Sequence, residues 1–549
     1  MDMRHRLGVS IGAVTVACAF SLPTLAQVSL QPPAPASSGQ ASQGQSYPGQ
    51  SYPGQAGSSL AQPPRSQNAN TPLHPTGGQP QQSAALKVTK AGMQPATATD
   101  RVPHTLAEAL AATYLGQPAL QAARAKLRAT DENVPQALAG WRPTVVLAGG
   151  AGYGNTVSRI YSSGGSFSAG GWSKTIAPRN IATGQATLNQ PIYNGGKTPA
   201  TINQAKNQVM GERATLLQQE QTSFLNAVNA YVGVIQSRQL LALNKNNVQV
   251  LARQLQATND RFRVGEITQT DVAQAEAALA GAQAQLETAQ GNLLTANGTF
   301  VQVIGFYPPD DLVEPQPIAL PTRTEQDATK LAASNNPQVV SALFSDAAAR
   351  DAVDVALAQL LPQVSVQAQA FTQQNQQFRS YNSNGYQVLA NLSVPLYQGG
   401  AEYSAVRQAK QSEQQARKTV DDVRRTVVQN AVQAWEALVA DRAAAESTRV
   451  QIRANQVALQ GVEREAIVGS RTTLDVLNAQ QALLSSQETL VQNLAQLVSA
   501  SYGVASAIGR LTASDLHLPV PLYDDTAYYQ AVKDRWVGLG DYATDQPGR

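Results

Sequence analysis

One cysteine, Cys18, four histidines and four methionines are all that 549 residues contain of these types. Their scarcity removes whole classes of chemistry. His5, His74, His104 and His517 are scattered outside the long periodic segments, so neither a metal cluster nor a histidine relay can be built from them. Met93 and Met210 are the only methionines beyond the first few residues, which leaves no thioether path for soft metals. Aromatic residues make up 5% and charged residues 14%, with a formal net charge of +3, so the clustered Lys/Arg footprint of a nucleic-acid binder is missing. The sequence also lacks a phosphate-cradling Gly-rich loop ending in Gly-Lys-Ser/Thr, so it carries no energy-coupling device of its own. Nothing in these patterns points to a cofactor.

Only one stretch is apolar for any length. Arg4, His5 and Arg6 precede the run Leu7 to Phe20, and Pro23-Thr24-Leu25-Ala26 follows it, which is the layout of a secretion signal spanning 1–26 with cleavage after Ala26. A membrane anchor would need about 18 or more apolar residues. Cys18 within the run is a poor lipidation site because Thr15 stands where such sites carry Leu. The mature chain then has no thiol and no disulfide. Residues 27–102, rich in Gln, Pro, Ser and Gly, have too little apolar surface to offset the entropy of ordering and are expected to be a disordered extension.

What the chain does contain is a duplication. QPIYNGGKTPATINQAK at 190–206 returns as VPLYQGGAEYSAVRQAK at 394–410, an offset of 395 − 191 = 204. In each copy an alternating apolar and polar run meets a hinge, Pro191, Tyr193, Gly195 and Gly196 in the first and Pro395, Tyr397, Gly399 and Gly400 in the second. Upstream, Pro118 and Pro337 split helical patterns, and Pro143 and Pro362 precede the strand runs, both at an offset of 219; hence 219 − 204 = 15 extra residues in the first strand region. They fall in the Gly/Ser-rich stretch Gly154 to Lys174, read as a long polar hairpin tip like Gln374 to Gly385.

The strand runs carry Leu188 and Ile192 among polar neighbours, and Val388, Ala390, Leu392 and Val394 likewise, a period of two that suits a lipid-facing barrel or a soluble sandwich equally. Four strands cannot close a barrel alone. After each hinge a proline-poor helical pattern runs for about 65 residues, on the order of 100 Å. It stops at Val264-Gly265 or Val468-Gly469, where Gly265 and Gly469 can take the left-handed turn, and a second helix returns. The repeats therefore span 103–310 (strands about 143–192, helical hairpin about 195–306) and 321–511 (strands about 362–397, helical hairpin about 399–510), with a polar tail at 512–549.

Strand pair, Tyr-x-Gly-Gly hinge and long helical hairpin, duplicated behind a secretion signal, resemble the TolC family of outer-membrane efflux and secretion proteins, in its type I secretion branch. The resemblance implies an α+β membrane protein of a Gram-negative cell: a homotrimer in which each chain gives four strands to a twelve-stranded β-barrel in outer-membrane lipid and long α-helical coiled-coil hairpins to a periplasmic tunnel. It implies a passive export duct, not an enzyme, working with a periplasmic adaptor and an inner-membrane ABC or proton-driven transporter. By the same resemblance Asp475 would ring the pore constriction with Asn478 where a second acidic ring is often found. Thr270, Asp271, Arg471 and Ala466 would hold the gate-link positions, Arg471 reaching Asp271, and Ala466 standing where an aromatic link can occur. The competing reading is a non-conducting, adhesive coiled coil at the cell surface, which would have no use for lipid-facing strands.

Overall fold

The computed structural model describes residues 102–163, 170–376 and 379–540. The secretion signal, nearly all of the 27–102 extension and the last nine residues of the tail lie outside the described residues. Among the described residues no helix is long and apolar enough to cross a membrane.

The chain opens with α1 (Leu106–Gly116), closed at its start by a capping box between Thr105 and Glu108, and α2 (Pro118–Asp131), which uses Pro118 at its first position, where the missing N–H costs nothing. A short α3 (Asn133–Leu138) follows. Next come β1 (Thr144–Ser162), β2 (Gly171–Asn194), α4 (Lys197–Arg263) and α5 (Gln269–Ile304). The second copy supplies α6 (Glu325–Asn335), α7 (Pro337–Leu357), β3 (Gln363–Gln374), β4 (Asn382–Ser393), α8 (Ala401–Ile467) and α9 (Thr473–Ala507), and the tail adds α10 (Ala527–Val532).

The strands form one antiparallel sheet in the order β1-β2-β3-β4. Its register sorts most side chains by face, with Val146, Phe371 and Leu389 the large apolar exceptions on the polar one. On one face lie the pairs Val145–Leu188, Leu147–Ala186, Leu188–Ala368, Ala368–Val388, Val366–Ala390 and Val364–Leu392. The other face carries Gln185, Thr187, Gln367, Gln369 and Gln387, with Gln387 Nε2 donating to Gln369 Oε1 at 2.8 Å. One face is thus suited to hydrocarbon and the other to water. Both long edges, β1 and β4, lack a neighbouring strand among the described residues.

Two expectations about the strands need correction. The first hairpin is not a polar loop from Gly154 to Lys174: β1 and β2 stay paired from Gly154–Arg179 out to Ser162–Gly171, and Tyr161 and Trp172 pack with ring centroids 5.3 Å apart near the end. Alternating β-branched and aromatic residues (Thr156, Ile160, Tyr161, Trp172, Thr175, Ile176) favour the ladder over a loop. The 15 extra residues therefore extend the hairpin past the second one, where β3 already ends at Gln374. Conversely, β4 stops at Ser393, before Pro395 and Tyr397, whereas β2 continues through Pro191 and Tyr193 with a bulge between them. The segment ahead of Tyr397 has no partner strand among the described residues, since β3 begins opposite Ser393, and Pro395 cannot donate to a ladder.

α4 and α8 are each 67 residues long, while α5 and α9 are 36 and 35. The returning helices cover about half of each long one. Along the strand-proximal half, α7 packs on both α4 and α8, and α2 and α3 pack on α4. Buried positions on α8 recur every seven residues, Val420 and Val427, then Ala431, Leu438 and Ala445, as do Ala275, Ala282 and Ala289 on α5, the seam of a coiled coil. Midway, a core of Leu110, Leu127, Phe224, Tyr231, Phe300 and Leu511 ties both copies and the tail together. The Tyr231 hydroxyl lies 2.8 Å from the carbonyl oxygens of His104 and Val313, and burial pushes its pKa up to about 12.

The copies differ at one break. Pro135 removes a helical hydrogen bond to the Asp131 carbonyl and ends α2 there, whereas α7, with Asp354 at the matching position, continues to Leu357. The Asp131 side chain is left fully buried with no hydrogen-bond partner on either oxygen, near Arg213, Asp525 and Glu132. Desolvation raises its pKa from 3.8 to about 6, with Arg213 opposing and Asp525 and Glu132 reinforcing the shift. The native state therefore holds this proton more tightly than the unfolded chain, so its cost to stability grows as pH rises from about 4 to 6 and is complete above that. Asp131→Asn is expected to raise stability near pH 7.5 by roughly 2–3 kcal/mol at most, an advantage that vanishes toward pH 4; thermal unfolding across pH checks it. At the first hinge, a Cβ on Gly195 (φ +67°) would meet the Ala358 carbonyl at 2.5 Å, whereas one on Gly196 (φ +84°) meets nothing within 4 Å. Gly196→Ala should cost about 1–2 kcal/mol for its left-handed backbone and Gly195→Ala clearly more, as read from the melting of the two variants side by side.

Candidate functional site

Two regions gather the residues singled out in the sequence: the hinges between sheet and long helices, and the turns at the far ends of those helices. Both exist in duplicate.

At the hinges all four glycines have left-handed backbone, with φ of +67° and +84° at Gly195 and Gly196 and +72° and +84° at Gly399 and Gly400. That conformation turns a strand into a helix within two residues, and only glycine adopts it freely. Gly196 and Gly400 sit at the N-caps of α4 and α8. In the first hinge Asn194 adds a local clamp, its side chain bonding the Thr198 hydroxyl and accepting from the Thr198 N–H at 3.3 Å. Tyr193 and Tyr397 are exposed.

At the tips the chain makes the same turn twice. Gly265 and Gly469 both have φ +80° and end the descending helices. The N–H and hydroxyl of Thr268 donate to Asp271 Oδ2 at 3.0 and 2.7 Å; those of Thr472 donate to Asp475 Oδ2 at 3.0 and 2.9 Å. These are capping boxes with Asp in the Glu position, so both aspartates have a structural task as the anchors of α5 and α9. The bonds from the Thr472 backbone and hydroxyl, with Arg471 nearby, hold the Asp475 carboxyl below its ordinary range, so it stays ionised in mildly acidic conditions.

The expected link from Arg471 to Asp271 is not made within the chain. Arg471 Nε instead bonds Glu465 Oε2 at 3.0 Å, and Asp271 is engaged by Thr268. The local pair closes a six-residue turn, which costs less chain entropy than a bond between separate hairpins. The first tip has a counterpart of reversed sign: Arg261, 204 positions before Glu465, pairs with Glu266 at 2.6 Å. Each pair is a surface bond of modest worth, but together they give the two tips opposite charge polarity around the same backbone turn. Thr270 and Asn478 are exposed, Asp475 is half-exposed, and Ala466 is buried with no side chain long enough to reach across.

Sequence reasoning did not single out the apolar character of the tips. Val264, Ile467 and Val468 are 77%, 78% and 78% exposed, beside half-exposed Phe262. The signal was present in the Val-Gly turns, whose glycines drew attention while the valines did not. Among the described residues no group of three His, Cys, Asp or Glu side chains is placed to hold a metal ion.

Comparison with known proteins agrees with this architecture. The outer membrane efflux protein family model matches residues 106–305 and 328–510, one block for each repeat. The outer membrane efflux protein BepC of Brucella suis biovar 1 is 35% identical over 438 residues, covering 79% of this chain and 92% of that protein. The outer membrane protein TolC of Escherichia coli K12 is 25% identical over 396 residues, 67% of this chain and 78% of its own. The crystal structure of the outer membrane protein VceC from Vibrio cholerae superposes with a TM-score of 0.61 at 21% identity, over 74% of this chain and 96% of that one. With both repeats matched and the sheet, hinges and hairpins in place, the chain belongs to the outer membrane efflux proteins, the TolC-like channels of the Gram-negative outer membrane.

Proposed function

We propose that three copies of this chain close into a duct that carries substrates passively from the periplasmic side to the outside, docked below to a periplasmic adaptor and an energised inner-membrane transporter. The observation that carries this reading is the sheet: one apolar face, one amide-lined face and two unsatisfied edges, continuous through Gly-Gly hinges with helices of about 100 Å. Three such sheets give 3 × 4 = 12 strands, and closure removes every edge from lipid. The half-length returning helices and the exposed valines at the tips provide a surface for the adaptor. The absence of a nucleotide loop in the sequence puts the energy source in the partner transporter, which also selects the cargo, whether a small molecule or a secreted protein. An adhesive surface coiled coil would leave the apolar sheet face and both sheet edges without a purpose.

The duplication predicts how neighbouring copies join. Ala186 pairs with Ala370 inside the chain; moving the first by 204 and the second by −219 pairs Ala390 with Ala151 of a second copy. Since Cys18 is the sole cysteine, the doubly substituted Ala390→Cys, Ala151→Cys chain should form an oxidised ladder ending at a trimer. Ala390→Cys with Tyr153→Cys, slipped along the same face, should not. Cross-linking of the slipped pair alone would overturn this register.

At the tips, three copies of Asp475 converging on the axis would attract cations and repel anions, and Asn478, one turn on, would soften that effect. In planar bilayers Asp475→Asn is expected to weaken block of the channel by divalent cations and Asn478→Asp to strengthen it. Identical single-channel block in all three proteins would remove these residues from the constriction.

A further inference from the structure

The segment after α9 is the part of the chain that a duct leaves without a task. Its contacts run along the first repeat. The Ala513 N–H donates to buried Glu220 at 2.7 Å, the Tyr523 N–H to the Tyr114 hydroxyl at 2.9 Å, and the Tyr528 hydroxyl to Glu132 at 2.9 Å. Arg124 lies over the rings of Tyr114 and Tyr523 at 4.5 and 5.1 Å. Last, Arg142 donates to the Arg535 carbonyl at 2.7 Å, with its guanidinium 4.9 Å from the Trp536 ring centre. From Tyr523 onward the partners climb from 114 through 132 to 142, from mid-tunnel toward the sheet.

That last contact sets a depth. Arg142 is two residues before β1 begins at Thr144, and the apolar face of β1 starts at Val145. Trp141 is at the same level, its carbonyl accepting from Gln190 at 3.0 Å beside the hinge residue Pro191. Trp536 therefore stands where the lipid-facing band of the sheet begins. Beyond it the chain is shaped, not trailing: Arg535 Nε and Nη1 donate to the carbonyls of Val537 and Gly540 at 3.3 and 3.2 Å, around Gly538 at φ +126°. The turn presents Trp536, Val537 and Leu539 outward, 66%, 86% and 106% exposed. A built turn that holds three adjacent large apolar side chains outward is costly unless something covers them. Trp536, under the Arg142 guanidinium, and Trp141, the residue before Arg142, both lie at this level, which is where aromatic belts sit in membrane proteins. The cations Lys533 and Arg535 flank Asp534, so lipid charge contributes little and apolar insertion dominates.

We propose that residues 535–540 form an interfacial foot that inserts Trp536, Val537 and Leu539 into the periplasmic leaflet of the outer membrane, beside the base of β1. The occupant of the patch is phospholipid at the boundary between headgroups and acyl chains, because the patch continues the lipid-facing band of the sheet. The inference rests on the barrel reading above, so channel conductance is recorded on the same samples to separate failure of the barrel from failure of the foot.

The test uses the full chain and its Trp536→Phe variant in phosphatidylcholine vesicles with and without brominated acyl chains. The difference between the two emission spectra isolates Trp536. The expected result is a blue-shifted component that brominated lipid quenches, and that loses its quenching in a Val537→Ser, Leu539→Ser chain with unchanged conductance. A red-shifted component untouched by brominated lipid would place the foot in water. A blue-shifted but unquenched component would show that a neighbouring copy covers it. Quenching that survives loss of both Val537 and Leu539 would also count against the foot. Any of these three overturns the proposal.

Discussion

A backbone N–H or C=O in hydrocarbon has no water to bond, and the rest of this structure depends on that constraint. The four-stranded sheet satisfies its inner strands and leaves the outer edges of β1 and β4 unsatisfied. Such a sheet is not stable in a membrane by itself, however apolar one face is. The same constraint explains why β2 runs through Pro191 and Tyr193 while β4 ends before Pro395: a strand forms only where a partner satisfies it, and β3 pairs with β2 as far as Asn194 but begins at Gln363, the partner of Ser393, so nothing faces β4 beyond that point. In the proposed trimer, pairing between copies satisfies the outer edges of both β1 and β4.

Duplication then does most of the architectural work, because one unit, strand pair to hinge to helical hairpin, is used twice with the same turn chemistry at each join. The capping boxes of Thr268 with Asp271 and Thr472 with Asp475 superimpose in function and in spacing. Departures between the copies show what each position is for. Gly195 is pressed against the Ala358 carbonyl, while Gly399 meets nothing within 4 Å inside the chain, since the matching segment near Ala139 belongs at the opposite edge of the sheet. Reversal of charge between Arg261 and Glu465 keeps the ion pair that steadies each tip and changes the face it shows to a partner.

The middle of the molecule is held differently from either end. Here the tail crosses the first repeat and brings buried polar groups together, Glu220 bonded to the Ala513 N–H and Asp131 left beside Arg213 and Asp525. Burial raises the pKa of both acids, so this belt is tied more tightly at mildly acidic pH than at neutral pH. Anchored by Leu511 and Leu518 in the apolar core and kept in register by Arg124, Arg142 and Arg213, the strap gives the segment beyond Val532 a defined place next to the sheet.

Local patterns with a strong physical cause were legible in the residues alone. Alternation of Val388, Ala390 and Leu392 with polar neighbours, broken only by Leu389, marks a half-apolar strand, Gly-Gly marks a left-handed turn, and a repeat offset of 204 makes both helical hairpins equal. What depends on contacts far apart in the chain was not legible. The first hairpin looked like a loop because Gly and Ser are frequent in it, and only cross-strand pairing of Tyr161 with Trp172 and its neighbours makes it a ladder. Within the chain Arg471 pairs with Glu465, because proximity at a tip is set by the turn and not by the repeat. Pro135 ends α2 at Asp131, but that this places the carboxyl in a buried site follows only from the packing of distant segments. Sequence by itself determined the elements, their order and the family, since periodicity and turn chemistry act over a few residues. Tertiary structure alone decided which edges stay open, which acids are buried and where the tail ends, because burial and pairing are properties of segments hundreds of residues apart.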